Sequence, residues 1–334
     1  MEQTFKGKSP GLNKAGYALN PAHRSRYGRV ILFNLGNLTF VTFGALVGLG
    51  AFVALLHTSF FLGTTGGIPD PGTLSRLVLL LAFGIPVSAY LVTRILDIPA
   101  WLNGEKTFTE YLRTVSFGLW GGLIGGLVMI ILFTRMNDIN GLHLLDAVVL
   151  GLPLAQFFGR WGCLNYGCCH GREVKGNHHY HIRYFDPMTK IMRYSPHLSG
   201  KPLYPTQIYA MILNLALYTT LLSVWLLWPA HPTGFLAALY MIGYGMKRFI
   251  VEFFRGEFPR VMVGGFSLWQ WLSLGFIVAG TILVWMVFPA GKVPIMPDYT
   301  SGWDLIGQTW PILILAALVM SLMYGLHGRK IGTW

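Results

Sequence analysis

The sequence predicts an all-α, polytopic integral membrane protein with seven to eight transmembrane helices and a small extramembrane subdomain between spans four and five. Three observations predict it. Of 334 residues, 53% are hydrophobic and only 11% are charged, against about 25% charged in a soluble domain. Apolar runs of roughly 20 residues, long enough to cross a bilayer, recur along the chain. The 14% aromatic content and the 41 glycines without a Gly-X-Y period exclude a disordered or collagen-like polymer. In a soluble protein a net charge of +12 would point to nucleic acid. Here the basic residues flank apolar spans, so anionic phospholipid is the expected partner and nucleic acid is not.

Taken in order, residues 1–28 form a polar, basic N-terminal segment that does not read as a signal peptide. Residues 29–290 form the main membrane domain, with spans at 31–57, 74–95, 114–134, 143–161, 207–229, 234–254 and 267–289. Residues 291–334 supply a linker and an additional C-terminal span at 305–326. Proline and glycine punctuate the links, as in Gly66 to Gly72 and Pro289 to Pro297. The link spanning 165–206 is the extramembrane insertion. Gly118, Gly122 and Gly126, and separately Gly44 and Gly48, recur every four residues, a pattern that lets helix backbones approach closely.

The basic residues sort by side. Lys6, Lys8, Lys14, Arg24, Arg26 and Arg29 precede span one, and Arg94, Lys106 and Arg113 sit in the second link. The fourth link holds Arg172, Lys175, Arg183, Lys190, Arg193 and Lys201. Arg255 and Arg260 follow span six, and Arg329 and Lys330 follow span eight. All of these fall on one side, with Arg135 and Lys292 opposite. Lys and Arg beside span ends set orientation, so the count expects both termini in the cytoplasm. A face that binds anionic lipid would collect the same residues whatever its orientation.

Ionisable residues inside a span are costly and mark sites. Arg248, Glu252 and Arg255 lie at i, i+4 and i+7, on one helical face. One carboxylate cannot neutralise two guanidiniums, so an outside anion is the expected third party. Arg160 closes span four, and even-numbered spans exit on the same side, so it emerges on the face of Arg248 and Arg255. Trp120, Gln207 and Gln270 lie toward that face as well. Arginines converging on one headgroup plane describe a phosphate site. Because these charges stay near one face, they do not describe a channel.

Cys163, Cys168, Cys169 and His170, followed by His178, His179 and His181, raise the question of a metal. Paired Cys-x-x-Cys spacing is missing and adjacent cysteines rarely hold one ion well, so the sequence expects a glycine-bounded turn and no metal. His170 is the candidate base, because an imidazole titrates near neutrality.

Four runs together resemble one family. They are Gly159-Arg160-Trp161-Gly162-Cys163 through Asn165 to Gly171, Tyr204-Pro205-Thr206-Gln207-Ile208-Tyr209, Arg248-Phe249-Ile250-Val251-Glu252-Phe253-Phe254-Arg255, and Gly265 to Gln270. In order and spacing, over roughly residues 38 to 289, the chain resembles the prolipoprotein diacylglyceryl transferases. The resemblance implies a multi-pass enzyme of the bacterial inner membrane. Such an enzyme moves the diacylglyceryl group of phosphatidylglycerol to the lipobox cysteine thiol of a prolipoprotein and releases glycerol phosphate, with no cofactor. It further implies that Arg160 and Arg248 hold the phosphate and that Glu252 orients Arg248 or the glycerol. The catalytic candidates are thus Arg160, Arg248, Glu252 and His170, and the candidate substrate contacts are Arg255, Gly162, Asn165, Gly171, Gln207 and Trp120.

The chain also departs from the family. Trp120-Gly121-Gly122 stands where the family has His-Gly-Gly, and indole accepts no proton near neutral pH. Phe43 before Gly44 replaces a tyrosine, and Cys163 replaces an asparagine. The family's reaction face is extracytoplasmic, opposite to the charge count, and its fold has seven spans. Two alternatives follow from the missing histidine and tyrosine: a transferase with a non-protein acceptor in membrane-lipid synthesis, and a phospholipid-binding or transport protein without chemistry.

Overall fold

A computed structural model describes residues 26–68, 70–104, 107–108, 119–176, 180–256, 262–290 and 297–327. Eight helices of 18 residues or more stand among them: α1 (Thr42–Thr65), α2 (Pro71–Leu102), α3 (Leu119–Asn137), α4 (Gly141–Tyr166), α6 (Thr206–Leu227), α7 (Phe235–Glu252), α8 (Leu268–Val287) and α9 (Tyr299–Gly325). The short α5 (Lys190–Tyr194) lies in the insertion. Six of the eight are long and apolar enough to cross a membrane: α1, α4, α6, α8, α9 and the Pro71–Ile95 part of α2. Within α3, Gly121–Asn137 forms a shorter apolar helix. Helix α7 carries Lys247, Arg248 and Glu252, the charges that lower its hydropathy and build the site. The expected Gly118, the beginning of span three at 114–118, His178 and His179 lie outside the described residues.

The boundaries have chemical causes. Asp70 caps α2 through Thr73 N–H, with Pro71 at the first helical position. Asn140 accepts from Leu142 and His143 N–H to start α4. Ser267 and Gln270 form a reciprocal capping box at the start of α8. Leu91, Ile95, Leu132, Trp285, Trp303 and Leu318 are exposed, as residues facing lipid should be, since backbone polar groups inside a bilayer are satisfied only within helices or closed barrels.

Span one is corrected. Residues 31–41 are a β-hairpin, β1 (Ile31–Leu35) with β2 (Leu38–Val41), and helix α1 begins only at Thr42. Leu35 pairs with Leu38 across the two-residue turn Gly36-Asn37, and Gly36 has φ +56°, the left-handed backbone that such turns require. A continuous apolar run does not distinguish a strand from a helix. Two further strands, β3 (Met262–Val263) and β4 (Phe266–Ser267), form a second hairpin over Gly264-Gly265. Strand β5 (Leu326–His327), at the end of α9, pairs with β2 to complete a three-stranded sheet.

Helix α1 packs most extensively on α9 and α4, α7 on α8, α4 on α6, and α2 on α3. The small-residue stripes are the seams. A side chain on Gly44 would strike the Gly325 backbone at 2.1 Å, and one on Gly48 would meet Ser321 Cβ at 2.5 Å, so α9 sits directly on the glycine face of α1. A side chain on Gly121 would meet Ala89 Cα at 2.9 Å, where α3 crosses α2. The main core gathers Phe61, Leu62, Leu74, Leu144, Leu221 and Leu236 between these helices.

Candidate functional site

One end of the bundle collects the polar chemistry. The C-terminal turns of α4 and α7 meet the starts of α6 and α8 there, beneath the insertion and the β1–β2 hairpin. Arg248 Nη1 contacts Glu252 Oε2 at 2.7 Å one turn further along α7, and both side chains are buried. The Arg248 guanidinium also lies over the Trp269 ring, 5.9 Å from its centroid. The β3–β4 hairpin and the capping box hold Trp269 there. Arg160, Arg255 and Glu252 all lie within electrostatic reach of Arg248. Among the described residues the fold therefore brings together Arg160, Arg248, Arg255 and Glu252.

A fourth cation joins them, one to which the sequence reading assigns no role. Lys247 is buried, donates to Gln156 Oε1 at 2.8 Å and to Asn214 Oδ1, and its ammonium sits 4.3 Å from the Tyr244 ring centroid. Gln156 in turn donates to the Tyr240 hydroxyl at 2.6 Å. Each of these partners is a neutral side chain. The network's members come from α4, α6 and α7, too far apart in sequence for spacing to reveal.

The remaining candidates mostly hold the site's walls. Asn165 Nδ2 donates to the carbonyls of Tyr27 (3.0 Å) and Arg29 (2.9 Å), pinning the strand that precedes the hairpin. Gln207 Nε2 donates to the Cys168 carbonyl at 2.8 Å. A side chain on Gly162 would strike the Phe43 ring at 2.7 Å, and one on Gly171 would strike Tyr204 O at 2.4 Å; both glycines are required for close packing. Gly171 pairs in an isolated bridge with Arg255, and Arg172 N–H donates to Phe254 O at 2.9 Å, so the turn after α4 is stitched to the end of α7. His170 is buried, with Nδ1 3.0 Å from Gly171 O. Burial pushes its imidazole below the ordinary histidine value, which keeps the ring neutral at pH 7. The backbone of Trp120 lies in the first turn of α3, and its side chain is outside the described residues.

The three cysteines, whose spacing argues against a metal, end up together. Their sulfurs all lie within 4.8 Å of one another. Gly167 (φ +76°) and Cys169 (φ +57°) both take left-handed backbone, and these two reversals fold Cys168 and Cys169 back beside Cys163.

A multi-pass bundle of apolar helices that gathers arginines and a buried glutamate at one end defines an integral membrane protein with a polar site between its helices. The family model for prolipoprotein diacylglyceryl transferase matches residues 30–286, and the chain belongs to that transferase family. It is 34% identical over 262 residues to phosphatidylglycerol–prolipoprotein diacylglyceryl transferase 2 of Clostridium perfringens, covering 76% of this chain and 94% of the relative. It is 31% identical over 254 residues to the enzyme of that name without the numeral from Clostridium tetani, covering 75% and 94%. For the Bordetella avium enzyme the identity is 27% over 256 residues, covering 76% and 92%. The match ends before α9, so that helix and β5 lie outside the family region.

Proposed function

We propose that the protein transfers the diacylglyceryl group of phosphatidylglycerol to the lipobox cysteine of a prolipoprotein, releasing glycerol phosphate. One observation carries the reading: Arg160, Arg248 and Arg255 converge at one end of the bundle, where Glu252 holds Arg248, a gathering of guanidiniums suited to a phosphate. Substitution at the glyceryl carbon beside a phosphate leaving group needs that phosphate stabilised, and preorganised guanidiniums supply this in a site of low dielectric. Glu252 holds Arg248 in place. On the acceptor side, His170 takes the thiol proton, with Nδ1–H directed at Gly171 O and the lone pair on Nε2.

The experiment is a mass-spectrometric assay of the full chain in phosphatidylglycerol vesicles with a lipobox peptide. Arg160→Ala and Arg248→Ala serve as blanks. A diacylglyceryl adduct on the peptide supports the reading. Glycerol phosphate without an adduct replaces the protein acceptor with water or a small molecule, and no release of either product overturns transfer in favour of lipid binding alone.

The membrane is taken to be the bacterial cytoplasmic (inner) membrane. The charge count assigns the arginine-bearing face and both termini to the cytoplasm, but several of the counted residues work within the fold. Arg172 lies over the Tyr204 ring, Lys201 pairs with Glu173 at 3.0 Å, and Arg183 donates to Gly200 O. Those roles, together with the family's reaction face, favour the extracytoplasmic side for the site. In intact cells a membrane-impermeant maleimide would then label Ser199→Cys, an exposed position of the insertion. Labelling only after lysis restores the cytoplasmic assignment.

A further inference from the structure

We propose that Cys163, Cys168 and Cys169 form a three-thiolate zinc site whose open fourth position takes the acceptor thiol. The inference rests on the transferase reading above and supplies what that reading most lacks, a strong means of ionising the thiol when Trp120 stands at the family's histidine position.

The geometry comes first. The turn after α4 is tied at each residue. Gly167 and Cys168 N–H both donate to Cys163 O, at 2.9 and 3.1 Å. Gln207 Nε2 donates to Cys168 O, the Thr206 hydroxyl donates to Cys169 O, and Gly256 N–H donates to His170 O. Cys169 occupies left-handed backbone at φ +57°, a conformation that costs a non-glycine residue energy and persists only where its surroundings impose it. These restraints bring three sulfurs within 4.8 Å of one another. In a tetrahedral zinc thiolate with bonds of about 2.3 Å the sulfurs stand about 3.8 Å apart, so small side-chain rotations close the cluster on an ion. All three are thiols, with Cys163 buried and Cys168 and Cys169 half-buried.

The charges fit as well. Three thiolates around Zn²⁺ leave one net negative charge, and Arg160 lies within electrostatic reach of all three sulfurs, Arg255 within reach of Cys169. The arginines that face the phosphate on one side thus offset the metal site on the other. Among the described residues the cluster offers three ligands and no fourth, the arrangement of a catalytic zinc rather than a structural one, and a thiol that coordinates such an ion is deprotonated.

The step balances. The incoming thiol binds zinc, which acidifies it, and gives its proton to His170. The zinc-bound sulfur attacks the glyceryl carbon of phosphatidylglycerol, forming C–S as C–O breaks, and the bonding electrons leave with glycerol phosphate against Arg160 and Arg248. Nothing is oxidised or reduced.

The test begins without substrate. Full-length protein in detergent, reduced with a phosphine and stripped by a chelator, is titrated with Co²⁺. A near-ultraviolet thiolate-to-cobalt charge-transfer band is expected, displaced by Zn²⁺ and absent from Cys163→Ser, Cys168→Ser and Cys169→Ser. Should a variant fail to fold, the wild type decides by itself: Zn²⁺ protects the three thiols from alkylation, read by intact mass. Adding a lipobox peptide should intensify the cobalt band, and a peptide with serine in place of cysteine should not. Removing zinc should lower peptide adduct formation by roughly 100-fold, restored by Zn²⁺. No band, or a band that survives all three substitutions, overturns the site. A cobalt band with unchanged transfer by stripped protein overturns its catalytic role. A cobalt band with no adduct from zinc-loaded protein instead rejects the transferase reading itself, and this role with it.

Discussion

The two ends of the bundle handle buried charge in opposite ways. At the end away from the site, Asp146 of α4 is fully buried and accepts from Gly234 N–H at 2.6 Å and Ala237 N–H at 2.8 Å. It caps the start of α7 across a helix interface, where the exposed amides and the helix dipole favour a negative group. At the site end of the same two helices, Arg160 and Arg248 meet with Arg255 and Lys247 close by, and Glu252 is the carboxylate set against them. A buried charge matched by its own protein is architecture. Arginines gathered in one place are the candidate address for an anionic ligand. The pairing of α4 with α7 delivers both, because the cap that fixes the start of α7 also sets where Arg248 arrives.

Substitutions can break this contrast. The largest effect is expected from Arg160→Ala and Arg248→Ala, each lowering kcat/KM for phosphatidylglycerol by roughly 10²–10³-fold, the scale of a lost transition-state donor. Arg248→Ala should also destabilise the fold by about 3–5 kcal/mol, since it removes the guanidinium held at 2.7 Å against the buried Glu252 carboxylate; Arg248→Ala with Glu252→Gln should recover stability but not turnover, measured by thermal melting and assay side by side. Next, Asp146→Ala should cost about 1–3 kcal/mol for the orphaned amides of α7 while leaving the KM for lipid near wild type below the melting range; a selective rise in KM would show that the far end reaches the site. His170→Gln should reduce adduct formation by at most about tenfold if a metal ionises the thiol, and by roughly 10²-fold or more if the imidazole alone does. The smallest effect on turnover is expected from Lys247→Met, a several-fold rise in KM, accompanied by a loss of about 1–3 kcal/mol because Gln156 Oε1 and Asn214 Oδ1 lose their donor.

Much of this was legible in the sequence, for reasons that differ by residue. Hydropathy located the helices because a bilayer tolerates few spanning structures. Arg248 and Glu252 stood out because charges inside spans are rare, and chain direction alone put Arg160 beside them. The hairpin at 31–41 was hidden by its own apolar residues, although Gly36-Asn37 was the available signal. Lys247 was passed over because its partners Gln156 and Asn214 come from other helices. The meeting of the three cysteines depends on left-handed backbone at Gly167 and Cys169, and residue 169 is not a glycine that would have announced it.

The seam between α1 and α9 gives the protein an order of assembly. Helix α1 is made early and carries a groove at Gly44 and Gly48 that α9 alone fills, while β2 presents an edge that β5 covers. Both surfaces must wait, through synthesis of every intervening helix, for the segment that completes them. Until Gly325 settles against Gly44, the hairpin beside Asn165 has an uncovered edge and a place for lipid to wedge between helices. Maturation of the site is thereby timed to the arrival of α9, so a pulse-labelled chain should gain protease resistance at 31–41 only after residue 327 has left the translocation machinery.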